Sequence, residues 1–246
     1  MKNYTLFAAF YLLIVCQATA QEKLLMKANF ITGQGAQAGK LKNAIGLGLQ
    51  YQRSIKNTPF EYMVTGESHL NGVKTMPYEL NFGNSRTNTD VKYVSTISKI
   101  MAGGAYVPLQ RSLLTPFVSL QAGALWYHTT VQIEDPRDSD GCKPVQSKTV
   151  KLSVIAIGQI ETGMRVYFKK KGAERSFIQA GAAYTFGSRG SYIRLSNKEH
   201  NHAGGNGEYM AKFRNNAGEE HEHSLGKIYR TNTNQIVYSI GFGLTL

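Results

Sequence analysis

Cysteine is scarce in this chain of 246 residues: there are two, and Cys16 falls in the apolar stretch near the start. With that stretch removed Cys142 stands alone, so no disulfide framework can hold the fold. Long apolar runs are equally lacking. Past the first stretch no segment approaches the ~18 consecutive apolar residues of a helical membrane span, which excludes a helical membrane protein. Acidic residues are few, 16 against 28 Lys and Arg, and the formal net charge is +12. A surplus of that size points to an anionic partner. The basic residues are scattered, however, with one short run at Lys169-Lys170-Lys171, and no nucleic-acid motif forms. No nucleic acid is expected as a partner, and lipid phosphates or anionic surface glycans are preferred.

Catalytic spacing is missing too. His223 and Ser224 are adjacent, with Glu220 and Glu222 nearby, but neighbours on an extended chain point to opposite faces. A protein without enzymatic activity is expected. Asp138-Ser139-Asp140-Gly141 has a calcium-loop look, yet the first and twelfth ligand positions would fall on Pro136 and Ser147, neither of which serves. Nothing around Cys142 marks an activated thiol.

What is present begins with an export signal. Lys2 supplies a positive n-region, Leu6 to Cys16 an apolar core too short to cross a bilayer, and Ala18-Thr19-Ala20 a small-x-small cleavage site before Gln21. Residues 1–20 are read as a signal peptide and 21–246 as one domain. A lipidated Cys16 is disfavoured because Val15 stands where a small residue is needed.

The other organising stretch is Ile236 to Leu246. Ile236, Tyr238, Ile240, Phe242, Leu244 and Leu246 are apolar at every second position, and Val237, Ser239, Gly241, Gly243 and Thr245 between them are small or weakly polar. A period of two means a strand, and a slim second face suits the crowded interior of a narrow barrel whose apolar face meets lipid. The same division recurs along the chain. Ile45, Leu47, Leu49 and Tyr51 alternate with Gly46, Gly48, Gln50 and Gln52; Ile178, Ala180, Ala182, Tyr184 and Phe186 alternate with Gln179, Gly181, Ala183 and Thr185. Alternation of this kind hides membrane character from averages, so a mean hydropathy of -0.28 does not argue for a soluble protein. Eight such strands are predicted, with short links alternating with long loops at about 70–91, 132–149 and 188–233. The fold expected is all-β: an eight-stranded antiparallel transmembrane barrel, both termini periplasmic, in the outer membrane of a Gram-negative bacterium.

Ser239, Gly241, Leu244 and Leu246 match the polar-x-Gly-x-x-apolar-x-apolar ending that bacterial outer-membrane barrels present to their barrel-assembly machinery, with Leu246 where an aromatic residue is usual. Together with the strand layout, this resembles the OmpX-like and porin-like "outer membrane protein β-barrel domain" families over essentially the whole of 21–246. The form expected is a monomeric barrel among outer-membrane lipid and lipopolysaccharide.

Two groups of residues carry candidate chemistry. Strand parity turns Lys27, Glu61, Glu67, Lys99, Glu161 and Arg165 inward, three of each sign. They read as a polar plug in a barrel too narrow for more than side chains, or alternatively as an ion path through a small pore. In the last loop His200, His202, His221 and His223 form two His-x-His pairs, whose imidazoles point the same way on an extended backbone and suit Zn²⁺ or Cu²⁺. The reading preferred is a filled anchor whose external loops bind lipid headgroups, a surface glycan or another protein.

Overall fold

The computed structural model describes residues 22–82, 85–109, 113–134, 144–168, 176–195, 208–214 and 220–246. Alternating residues build β1 (Glu22–Gly33), β2 (Ala44–Ser54), β3 (Phe60–Phe82), β4 (Ser85–Tyr106), β5 (Leu114–Glu134), β6 (Pro144–Tyr167) and β7 (Ser176–Leu195). The short β8 (Glu208–Arg214) and the long β9 (Glu220–Thr245) complete the described strands. Each of β1 to β7 pairs antiparallel with the next, β7 pairs with β9, and β9 returns to β1 from Lys23↔Thr245 to Gly33↔Gln235. The sheet closes on itself, so this is an eight-strand antiparallel barrel of β1–β7 and β9. Closure has a physical cause: in a hydrocarbon solvent an unpaired backbone N–H or C=O costs several kcal/mol, and a closed sheet has no edge.

The wall faces outward with large apolar side chains. Met26, Leu47, Leu120, Val154 and Ile240 are each at least 60% exposed. Tyr51, Phe60, Tyr62, Tyr106 and Phe168 gather toward the end that carries the short turns, with the Phe60 and Tyr106 rings 5.5 Å apart. Both ends of the described chain lie at that end, where the Leu246 amide donates to the Glu22 carbonyl.

At the opposite end the strands run on far past the ~9–11 residues that a bilayer needs: β3 has 23 residues, β6 24 and β9 26. The described parts of the loops expected at 70–91, 132–149 and 188–233 are paired strand instead, while residues 83–84, 135–143, 196–207 and 215–219 lie outside the described residues. Leu70 to Phe82 pairs with Ser85 to Thr96, Thr130 to Glu134 pairs with Pro144 to Thr149, and Arg189 to Leu195 pairs with Gly226 to Asn232. A ninth strand, β8, pairs with β9 from Glu208↔Lys227 to Arg214↔Glu220.

Those extensions no longer form a ring. Pairing of β2 with β3 stops at Ile45↔Leu70, and pairing of β6 with β7 stops at Ile157↔Gly187. Above those levels one sheet of β3–β6 faces another of β7, β9 and β8. Val91, Tyr93, Val131, Ile133, Ile193, Leu195 and Leu225 pack between them, with Met76, Val150 and Tyr209 at the margin. The barrel is thus capped by a two-sheet crown with its own apolar core. β-Bulges mark the passage from one to the other, between Leu70 and Gly72, between Thr129 and Thr130, and between Gly187 and Arg189. Bulges at a barrel rim bend the strand and re-aim the segment beyond them.

Candidate functional site: a stacked interior and a cationic rim

The interior is filled in layers. At the short-turn end Leu25, Tyr167 and Phe177 form one apolar group, and Met63, Ala105, Val107 and Phe117 another. A charged group shares this level, with Lys23 and Glu61 nearer the strand ends than Leu25 and Met63 and Arg165 one step further in than Tyr167. Glu61 takes an ion pair from Lys23 and a second from Arg165 at 2.7 Å; the Arg165 Nε donates to Gln179 at 2.9 Å. The guanidinium also lies over the Phe117 ring, 4.8 Å from its centre, which stabilises a desolvated cation electrostatically.

Nearer the middle, Glu67 collects Lys99 at 2.9 Å and Lys27 at 3.3 Å, and Lys27 reaches Glu161 at 3.6 Å. Lys99 donates to Gln159 at 2.7 Å, and the Thr185 hydroxyl donates to the same oxygen at 2.8 Å. All six charged residues selected by parity are therefore in this interior, and each is buried. Glu161 and Arg165, four residues apart on β6, hold different partners: Lys27 for one, Glu61 for the other. Two members escaped the sequence reading. Lys23 pairs with Glu61, and His69 sits 3.5 Å from Glu67 with its Nδ1 3.2 Å from the Ile97 carbonyl. Parity was the available signal for both, since Lys23 shares the phase of Lys27, and His69 that of Glu67.

The third layer is apolar again, with Ile31, Ile97, Met101, Leu125, Ile155 and Ile157 among its members. A short 3-10 turn, Gly35–Gln37, folds back over this layer from the β1–β2 connection. The Gln37 amide, fully buried, donates to the Tyr127 hydroxyl at 2.8 Å; Gln235 donates to the same hydroxyl at 3.0 Å. Tyr127 in turn packs on Tyr192, ring centres 4.9 Å apart. Leu41, buried in the same layer, pins the outgoing half of the connection.

Around the outside of the rim, Lys40 and Lys42 flank Leu41, Arg189 follows the β7 bulge and Arg230 stands on β9 opposite Ser191. Three of them are exposed and Lys42 is half-buried. Among the described side chains no acid shares this arc, since Glu61, Glu67 and Glu161 are inside, Glu22 is at the other end and Asp90 lies out on β4. Glu79, Glu134, Glu208, Glu220 and Glu222 belong to crown strands.

Ser239 and Gly241 face inward on β9: the Ser239 hydroxyl donates to Glu161 at 3.5 Å, and Gly241 pairs with Lys27 on one side and Gln179 on the other. Leu244 and Leu246 are exposed on the wall. His221 and His223 lie on β9 opposite Phe213 and Ala211. His200, His202, Cys142 and the Asp138–Gly141 turn lie outside the described residues. Among the described residues no three His, Cys, Asp or Glu side chains converge as a metal site would require.

No family model matches the chain, and no curated protein sequence matches it. Solved structures similar to it are barrels of bacterial outer membranes. Neisserial surface protein A is 12% identical, with 92% of this chain and 96% of that one covered and a TM-score of 0.37. Ail, the attachment invasion locus protein of Yersinia pestis, solved with the heparin analogue sucrose octasulfate, is 10% identical over 92% and 97%, at 0.37. A major outer membrane protein of Thermus thermophilus is 11% identical over 93% and 100%, at 0.43. By its own geometry, a closed all-β barrel with an apolar outer face, the chain has the architecture of an integral outer-membrane β-barrel protein.

Proposed function

We propose that this protein is a non-conducting, non-enzymatic anchor in the outer membrane of a Gram-negative cell, which holds a rigid two-sheet crown outside the cell as a binding surface. The observation that carries this reading is the stacked interior. Apolar groups lie on both sides of the Glu67, Lys27, Lys99 and Glu161 cluster, and a continuous water path would have to cross Tyr167 and Phe177 at one end and Gln37 and Tyr127 at the other. Eight strands leave an interior that side chains fill. The pore alternative has no such support, because the charges that would line it are paired with one another. The crown supports the second half of the reading: β-structure with a core of its own holds its outer surface in one shape and lowers the ordering cost of binding. The partners it suits are an anionic surface glycan or another protein, with lipopolysaccharide around its base. Ser239, Gly241, Leu244 and Leu246 would be read by the assembly machinery as the barrel inserts, and one copy suffices because the barrel closes by itself.

Conductance tests the anchor directly. Refolded protein in a planar bilayer, its insertion proved by protease protection of the wall, should give no stable current steps at any voltage up to membrane breakdown. Reproducible steps of one size, altered in Glu67→Gln, would establish a pore instead.

A further inference from the structure

The wall carries a furrow where β1 meets β9 and β2. Ala28 is the cause: on the outward face of β1 it stands between Met26 and Phe30, and its register partners on either side are Leu47 and Ile240. A methyl group flanked by two large side chains leaves a trough. Two open depressions of about 730 and 390 Å³ share Ala28, Leu47 and Ile240, so together they run along the strands. The lower one reaches Ile178 and Phe242; the upper one ends at Phe30, Ile45, Leu70 and Tyr238.

Past that upper end come the rim cations, Lys42 beside Gly72 just beyond Leu70, and Arg189 and Arg230 farther along β7 and β9. The β1–β2 connection is held down by the buried Leu41 and Gln37 and by the Gln34 amide, which donates to the Asn234 carbonyl at 2.8 Å. Arg194 on β7 donates to the Gly39 carbonyl of the same connection. The backbone that carries Lys40 and Lys42 is therefore anchored. The Lys42 stem lies against β3 just past Leu70: a Cβ placed on Gly72 would sit 3.8 Å from its Cδ. Arg189 and Arg230 continue the positive arc across β7 and β9.

We infer that this face is a docking site for one molecule of lipid A, an acylated glycolipid with more than one phosphate, an acyl chain lying in the Ala28 furrow and its phosphates on the Lys40, Lys42, Arg189 and Arg230 arc. The inference rests on the outer-membrane reading in one respect: the crown end must face the outer leaflet, where that lipid is found. The lipid A headgroup fits better than a glycerophospholipid because four cations spread over three elements match several phosphates rather than one. Arginine and lysine both bind phosphate, arginine in bidentate fashion, and these contacts strengthen at the low-dielectric edge of a bilayer.

The experiment is native mass spectrometry of the whole protein released from nanodiscs that contain lipid A, phosphatidylglycerol and phosphatidylcholine in equal amounts. Wild type should retain one lipid A, at least tenfold in excess over either phospholipid. Ala28→Leu fills the furrow with a residue that suits a lipid-facing wall, and should lower retention about tenfold with the barrel still folded, as judged by heat-modifiable mobility. Lys40→Gln with Lys42→Gln should keep a bound lipid but abolish the preference for lipid A. Equal retention of all three lipids by wild type, or undiminished retention by Ala28→Leu, would overturn the site. Failure of the outer-membrane reading is a separate observation: protease added to intact cells would leave the crown uncut, whatever the nanodiscs retain.

Discussion

Glu67 is the residue on which the charged layer depends, because Lys99 and Lys27 both turn to it. Removing it would leave Lys99 with the neutral Gln159 alone and Lys27 with Glu161 alone, and breaking a buried pair costs about 3–5 kcal/mol through the partner left without compensation. Glu67→Gln should therefore lower the stability of the refolded barrel by about that amount in a denaturant titration, while Glu67→Met combined with Lys99→Met should recover most of it, since the pair is then removed together. If the double variant were no more stable than the single one, Glu67 would be acting through something other than its cations. On the outer face the sign reverses. Ile240→Lys puts a charge in hydrocarbon and should cost about 2–4 kcal/mol near the midplane. Its neighbour Gly241 has the opposite constraint: a Cβ there runs into the Met26 carbonyl and lies 3.1 Å from the Lys27 stem, so Gly241→Leu should block assembly, seen as loss of the folded, heat-modifiable band.

At the scale of the element, the bulges decide how far the chain can be read from its letters. Up to the rim, parity is constant: on β3 Glu61, Met63, Thr65, Glu67 and His69 are all buried, and on β7 Phe177, Gln179, Ala183 and Thr185. The barrel half of each strand, with the paired charges inside it, is legible for that reason. Past the bulge one residue is skipped and the alternation breaks: Lys74 is buried in the other phase on β3, while on β7 Tyr192 is buried in one phase and Ile193 and Leu195 in the other. A period-two pattern interrupted this way, in segments rich in Asn, Gly and Thr, looks like a loop. The surviving signals were short apolar alternations, Val91 with Tyr93, Val131 with Ile133 and Ile193 with Leu195, too brief to outweigh composition until the facing sheet supplies their partners. Tyr192 also illustrates how dry this junction is: its side chain is buried against the rings of Tyr127 and Tyr229. The crown core makes a separable unit testable. Ile193→Ala deletes buried methylene groups and should cost about 2–5 kcal/mol; limited proteolysis should then cut the crown strands first, with the membrane-embedded fragment still closed. Simultaneous loss of barrel and crown would mean that the two share one cooperative core.

For the whole molecule, a net charge of +12 does not by itself identify a partner, and the structure accounts for it by location. Inside, Lys23, Lys27, Lys99 and Arg165 are matched against Glu61, Glu67 and Glu161. At the rim the cations have no acidic counterpart among the described side chains, while crown strands hold both signs. Sequence alone could count these charges but not sort them, because the rim is assembled from β7, β9 and the β1–β2 connection, segments far apart along the chain.

One strand ties the three regions together. β9 pairs with β7 along nearly its whole length, with β1 across the seam and with β8 in the crown. Among the described strands it is also the last in chain order, so the pairings that close the wall and join β7 and β8 in the crown wait for a segment that follows all of their partners. Folding from first strand to last would consequently leave an open, curling sheet until β9 arrives, then finish wall and crown in a single zipping motion that begins at one end of β9 and travels the length of the protein.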